Sequence, residues 1–301
     1  MLSDSNAQKG LTGIFAMKEF TAYFDESYGK ADAYSVAGYV ASAEGWEGLI
    51  QDWGKLAEKE KFSVLHKSDL EHNANGSEFE WSNLTDNGRR IRKQRINSKA
   101  CAIILRHVNA GFGASVQKSE WQSQVAEGSK WGDMMGKSFY AAGVWVCLNM
   151  VSAWAESRPE VGMVRYVFEK GADGRDEAEK MLRRLKADPN DREKFRIHGY
   201  DFEGKETVPL QAADFLAYES YRQIDNRVVD GVRLHKGSPI EPRGALRCLL
   251  RFDDPRYRNV HPLDLPVPHH GIWFDKELIA ELLTGLNGAF ADFPATGEGQ
   301  D

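Results

Sequence analysis

The chain has 301 residues, 42% of them hydrophobic and 28% charged, with a formal net charge of −6. That length suits one large domain or two small ones and can bury roughly three quarters of the unfolded surface, so no disulfide or metal staple is needed for stability. The balance is that of a soluble globular protein and excludes collagen-like, coiled-coil and wholly disordered chains, while the negative charge argues against indiscriminate coating of nucleic acid and leaves room for a local basic face.

Cys101, Cys147 and Cys248 are odd in number and far apart. They form neither a CxxC pair nor a secreted disulfide framework. With no charged, leucine-rich signal at the start, the expected home is cytoplasmic. Residues 1–17 read as a flexible leader. Residues 20–26 (FTAYFDE) and 34–41 (YSVAGYVA) read as strands joined by a hairpin loop around Gly29. Trp46, Leu49, Ile50, Trp53 and Leu56 recur at helical spacing and predict an amphipathic helix. Periodicity fails over residues 62–85, which read as an irregular insertion. A helix over 87–107 and a third strand over 110–117 follow. The apolar run over 140–155 is shorter than the ~20 residues of a membrane span and predicts a buried helix.

The pattern then alternates. Residues 163–168 form a strand ending at Glu169, and Ala178, Met181, Leu182 and Leu185 share one helical face that Asp188-Pro189 stops. A strand over 195–200 precedes a helix opened by Pro209, at the turn where its missing N–H costs least. The fold class is α/β, a mixed sheet flanked by helices over residues 18–225. A C-terminal extension over 226–301 carries one amphipathic helix near 278–283 and a disordered tail from Pro294.

Acids fall where apolar residues belong. Asp25 and Glu26 end the first strand, although both types are poor strand formers. Glu169 ends VRYVFE, just before a glycine-containing turn. If the two strands run parallel, their C-terminal ends share the edge where open α/β sheets place ligands. On the helix from Pro209, Leu210, Ala217, Tyr218 and Tyr221 lie within about 60° of Asp214 at 100° per residue. Asp214 therefore faces the sheet with Gln211 beside it, and Glu219, about 140° away, faces solvent. A buried carboxylate needs a partner, and no Lys or Arg shares that stripe, so a cation from elsewhere must meet it. Converging carboxylates without cysteine describe a site for Mg²⁺ or Mn²⁺. Two such ions about 4 Å apart can hydrolyse a phosphodiester.

The segments AYFDES, LHKSDL, YVFEKG and PLQAADFLAYE, in that order, resemble the family called domain of unknown function 3800. The resemblance covers residues 20–222, with DES and QAAD as its most specific parts. It implies a ribonuclease H-like mixed five-stranded sheet of three antiparallel and two parallel strands. It also implies Asp25 on the first strand, Glu169 on the fourth and Asp214 on the closing helix, together holding the metal. Glu169 departs from the aspartate common at such sites, and a fourth acid is not obvious; Glu26 or Asp69 could supply it. The implied activity is a metal-dependent nuclease acting on RNA or DNA, in a setting such as defence against mobile DNA. The alternative is an inactive module that binds nucleic acid or a protein partner, and a homo-oligomer is compatible with either.

His66 either protonates a leaving group or holds its loop, and Asp69 either caps a short helix or joins the ligands. Arg92, Arg95 and Lys99 line one helical face able to touch successive phosphates or simply to meet solvent. Gln211 would orient Asp214 or touch the nucleic acid. Trp81 and Trp121 could stack on bases or fill core. His261, His269 and His270, in HPLDLPVPHH, lack ligand spacing and sit in an extended surface segment. GFGAS lacks the rest of a dinucleotide fingerprint, and no GxxxxGK[ST], HExxH or GxSxG occurs.

Overall fold

The computed structural model describes residues 18–30, 32–72, 81–126, 130–135, 137–229, 269–274 and 283–284. The expected leader and disordered tail lie outside these residues, as does the expected helix near 278–283 except for the buried Leu283.

β1 (Lys18–Tyr28) and β2 (Tyr34–Ser42) pair antiparallel, with Asp25 opposite Ala37. Helix α1 (Ala43–Glu60), capped by the Ser42 hydroxyl, buries Trp46, Leu49, Trp53 and Leu56 but leaves Ile50 45% exposed, at the margin of its apolar stripe. The insertion is not wholly irregular, since it contains the short helix α2 (Lys67–His72). Helix α3 (Asp86–His107), capped by Thr85, leads into β3 (Ala110–Val116), which pairs antiparallel with β2. Two short helices that hydrophobic period does not mark, α4 (Lys118–Ala126) and α5 (Lys130–Met135), precede α6 (Tyr140–Glu156).

α6 is apolar nearly all round because it lies between the sheet and α7 (Arg175–Ala187). Among the described residues no helix is long and apolar enough to cross a membrane. Between α6 and α7 runs β4 (Val161–Glu169), parallel to β1. Asp188 caps the end of α7 and its carboxylate starts another helix, α8 (Pro189–Lys194), so Asp-Pro works as a junction as well as a stop. β5 (Ile197–Glu203) then joins β4 in parallel, and α9 (Val208–Val229) follows with Pro209 in its first turn.

A sixth strand, β6 (His269–Phe274), pairs parallel with β3, so the sheet order is β5-β4-β1-β2-β3-β6. The histidine-rich segment, expected as an extended surface stretch, thus contributes a strand to a sheet expected to have five. It is separated from β1 by β2 and β3.

Alternation along the strands sorts the core into two layers. Phe20, Ala22 and Phe24 pack with Tyr166 and Phe168 under α6 and α7, whereas Tyr23, Ala37 and Tyr39 face α1, α3 and α9. Trp81 and Trp121 are buried in these cores and are not available to stack on bases.

The basic face of α3 is likewise engaged. Arg95 donates two hydrogen bonds to the Glu60 carboxylate, at 2.8 and 2.7 Å, and Arg92 donates to the Glu60 carbonyl while lying over Trp81. These guanidiniums brace α3 against α1, while the Arg95 side chain and Lys99 remain exposed on the helix surface. Hydrogen bonding from Arg95 holds the Glu60 carboxyl below its usual range, against the opposite push of burial. A depressed carboxyl adds stability that is present above its unfolded value, near 4.3, and is lost as pH falls through the lower folded value. Glu60→Gln is therefore expected to lower Tm by about 2–4 °C at pH 7, modestly because the Arg95 side of the ion pair is solvated, and the gap from wild type should close below pH ~4 as the carboxyl protonates. Tm measured from pH 7 to 3 checks this, and a gap that stays constant would remove Glu60 as the brace.

Candidate metal centre

Phe24 of β1 stands beside Phe168 of β4, so the next residues, Asp25 and Glu169, come side by side where the β1–β4 ladder stops, on the α9 face. α9 crosses β1 and β2 on that face and brings in Asp214, with the small residues Ala212, Ala213 and Ala217 permitting close approach. All three acids are buried, and so is Glu26. One carboxylate oxygen each from Asp25, Glu26 and Glu169 lies within 4.8 Å of the others, a separation that three ligands of one ion can adopt.

Glu26, expected as a helper, thus joins Asp25 and Glu169 in this group. Asp214 adjoins it through Lys205, whose Nζ is 3.2 Å from Asp25 Oδ2 and 3.8 Å from Asp214 Oδ1. Asp214 Oδ2 accepts the Lys67 backbone N–H at 2.7 Å. Asp25 Oδ1 accepts the Glu26 N–H at 2.9 Å, and Glu169 Oε2 accepts the Gly171 N–H at 2.5 Å. A Cβ on Gly171 would meet that oxygen at 3.0 Å, so the glycine lets the Glu169 carboxylate fold back onto its own turn. Glu26 Oε2 is buried and finds no hydrogen bond among the described residues.

Burial pushes the Asp25 carboxyl well up, the Asp214 carboxylate adds to the shift, and Lys205 opposes it. Burial likewise pushes Glu26 up to about 7, with Glu169 adding and Lys205 opposing. For Lys205 itself burial disfavours the charge, but Asp214, Asp25 and Glu26 outweigh it and hold the ammonium above its usual value. Carboxylates in excess of ammonium at one buried point make a hard, oxygen-ligated cation the chemical complement of the site.

Gln211, expected at the nucleic acid, is buried and committed to the protein. Its Oε1 accepts from Trp53 Nε1 and the Leu65 N–H, each at 3.0 Å, and its Nε2 donates to the Lys205 carbonyl at 2.9 Å. It positions Lys205 by tying that loop to α1 and to the segment before α2.

Glu219, expected in solvent, is 1% exposed, because α2 covers that flank of α9. Its Oε1 lies 2.9 Å from Nζ of the fully buried Lys67, which also bonds Glu71 and, at 2.7 Å, Asn97 Oδ1, with the Phe215 and Tyr218 rings beneath it. Asp69 lies in the first turn of α2, where its charge suits the helix dipole, and is not among the converging acids.

A cavity of about 500 Å³ opens over the carboxylates, with Glu26, Asp214 and Lys205 among its walls. His66 does not line it; Ser68 and His72 do, and the His66 carbonyl accepts the Leu70 N–H at 3.0 Å to start α2.

Sequence reasoning missed Lys205 and Lys67. Both lie on segments without periodicity, and the only signal for Lys205 was the demand for a cation that a buried Asp214 creates. A scan against protein-family models and a search of curated proteins return no match.

Proposed function

We propose that the chain is a divalent-metal-dependent phosphodiesterase, a nuclease of ribonuclease H-like architecture that uses Mg²⁺ or Mn²⁺. The observation that carries this reading is the convergence of Asp25, Glu26 and Glu169 within 4.8 Å where the parallel ladder of β1 and β4 stops. The unpartnered, buried Glu26 Oε2 supports it, because a carboxylate oxygen held there without a donor suits a cation. The order β3-β2-β1-β4-β5, antiparallel on one side of β1 and parallel on the other, supports the ribonuclease H-like architecture.

Asp25, Glu26 and Glu169 would hold the ion, which when bound supplies Lewis-acid polarisation of a phosphoryl oxygen and a more acidic water. Lys205, fixed between Asp25 and Asp214, presents a second positive charge at the cavity wall. A preorganised ammonium there stabilises negative charge developing on the phosphoryl group. Asp214 keeps the ammonium in place, and the Lys67 N–H keeps Asp214 in place.

The same Lys205 contact favours a second reading, a catalytically inactive module binding nucleic acid or a protein partner, because an internal cation already pairs with the carboxylates.

Mn²⁺ and Mg²⁺ titrations followed by Tm, together with cleavage of labelled RNA and DNA, separate the two. The first reading expects a metal-dependent rise in Tm and metal-dependent cleavage. It also expects Lys205→Met to lose about 10²–10³ in rate while keeping the Tm rise. No Tm rise and no cleavage at saturating metal would leave the binding module.

A further inference from the structure

We infer that the cavity above the carboxylates takes one unstacked nucleotide of a single-stranded nucleic acid, with its base among Tyr28, His72, Tyr218 and Tyr221 and its phosphate toward Lys205. The inference rests on the phosphodiesterase reading only for why a phosphate is brought to that floor.

Separate elements contribute the rings: the exposed Tyr28 at the end of β1 and His72 at the end of α2 offer faces to a base, and the buried Tyr218 and Tyr221 of α9 form the back wall. Aromatic side chains gathered on one cavity are the sequence-tolerant device by which proteins hold unpaired bases. The rings are set before anything binds. Tyr28 is 48% exposed, yet it stacks on Tyr34 with centroids 5.2 Å apart and planes only 5° off parallel. The His72 Nδ1 lies 2.8 Å from the Ser68 carbonyl, and its ring stands edge-on to Tyr218 at 6.5 Å. Gly29 makes room for the wall, since a Cβ there would come within 2.9 Å of the Tyr221 hydroxyl.

Size and charge select the occupant. About 500 Å³ lies within the range of small-ligand pockets and suits one nucleotide. A paired base would have to leave its partner to enter, as in enzymes that act on extruded or single-stranded nucleotides. Of the charged residues lining the cavity, Glu26 and Asp214 repel phosphate and Lys205 and Lys30 attract it, which sets the phosphate end by the lysines and leaves the base for the rings.

The test is fluorescence anisotropy of the full chain with a short labelled DNA strand, the same strand as RNA, the corresponding duplexes, and a strand with abasic positions. It is run in chelator and again with Ca²⁺. Single strands are expected to bind at least about tenfold more tightly than duplexes. The double variant Tyr28→Ala/His72→Ala, whose Tm should fall by no more than about 6 °C because both side chains sit at the rim and lose only their ring contacts, is expected to lose about tenfold on the normal strand and nothing on the abasic one. The RNA and DNA arms show which sugar the pocket accepts. Equal affinity for duplex, an unchanged double variant, or no binding of any strand with saturating Ca²⁺ would overturn the inference. Single-strand binding that the double variant loses, without cleavage in Mn²⁺, upholds the pocket and removes the phosphodiesterase reading. Metal-dependent cleavage with an indifferent double variant does the reverse.

Discussion

The Asp25→Asn variant is expected to lose the Mn²⁺-dependent rise in Tm and about 10³-fold or more of Mn²⁺-dependent cleavage, equivalent to about 4 kcal/mol of transition-state stabilisation. Asp25 is the fully buried member of the carboxylate triple and also the nearer of the two acids paired with Lys205. An amide keeps the shape, still accepts the Glu26 N–H, and removes the charge that a hard cation requires. Two opposing changes act on the metal-free protein. A costly buried charge disappears, and Lys205 loses its closer partner. The metal-free Tm should therefore stay within about 4 °C of wild type. Asp214→Asn provides the contrast. Asp214 is outside the triple, so that variant should keep most of the Mn²⁺-dependent Tm rise while losing rate through a displaced Lys205. A full Tm rise in Asp25→Asn, or none in Asp214→Asn, would reassign the ligands.

What the sequence made legible was local pattern and its violations. Trp46, Leu49, Trp53 and Leu56 mark a buried helical face, and the alternation through FTAYFDE marks a strand, because each pattern is imposed by one layer of neighbours. Asp25, Glu169 and Asp214 stood out as acids on apolar surfaces, and the structure places all of them in the buried region at the strand ends. The partners did not stand out. Lys205 is a loop lysine in GKET, and only the close passage of α9 past β1 makes it a counter-ion. Helical periodicity alone turns Glu219 outward, and α2, which buries it, is positioned by the fold and not by local sequence. β6 was hidden by flanking prolines and by a partner, β3, more than a hundred residues away in the chain. The grouping of Glu26 with Asp25 and Glu169 has the same origin. Strand alternation puts Asp25 and Glu26 on opposite faces, and both reach Glu169 only because the β1–β4 ladder stops at Phe24 and Phe168 and β4 ends at Glu169.

Lys67→Met is expected to cost about 3–5 kcal/mol of stability, far more than a surface lysine. Lys67 is fully buried, and its removal takes away the ammonium that lies 2.9 Å from the Glu219 carboxylate, which is 1% exposed. Glu71 behaves differently because it is partly exposed and also lies 3.9 Å from Lys93, so it can turn outward. Glu219→Gln added to Lys67→Met should recover at least about 1 kcal/mol, a coupling that the double-mutant cycle isolates from the loss of the methylene stem. The backbone N–H that holds Asp214 survives either change. Where the double variant is folded, it should therefore keep its Mn²⁺-dependent Tm rise, which separates a buried ion pair that secures α2 from a group acting at the carboxylates. Urea unfolding of the four proteins reads the cycle directly. A cost below about 1 kcal/mol for Lys67→Met would mean that the ammonium reaches water, and that α2 does not close over α9 as the fold places it.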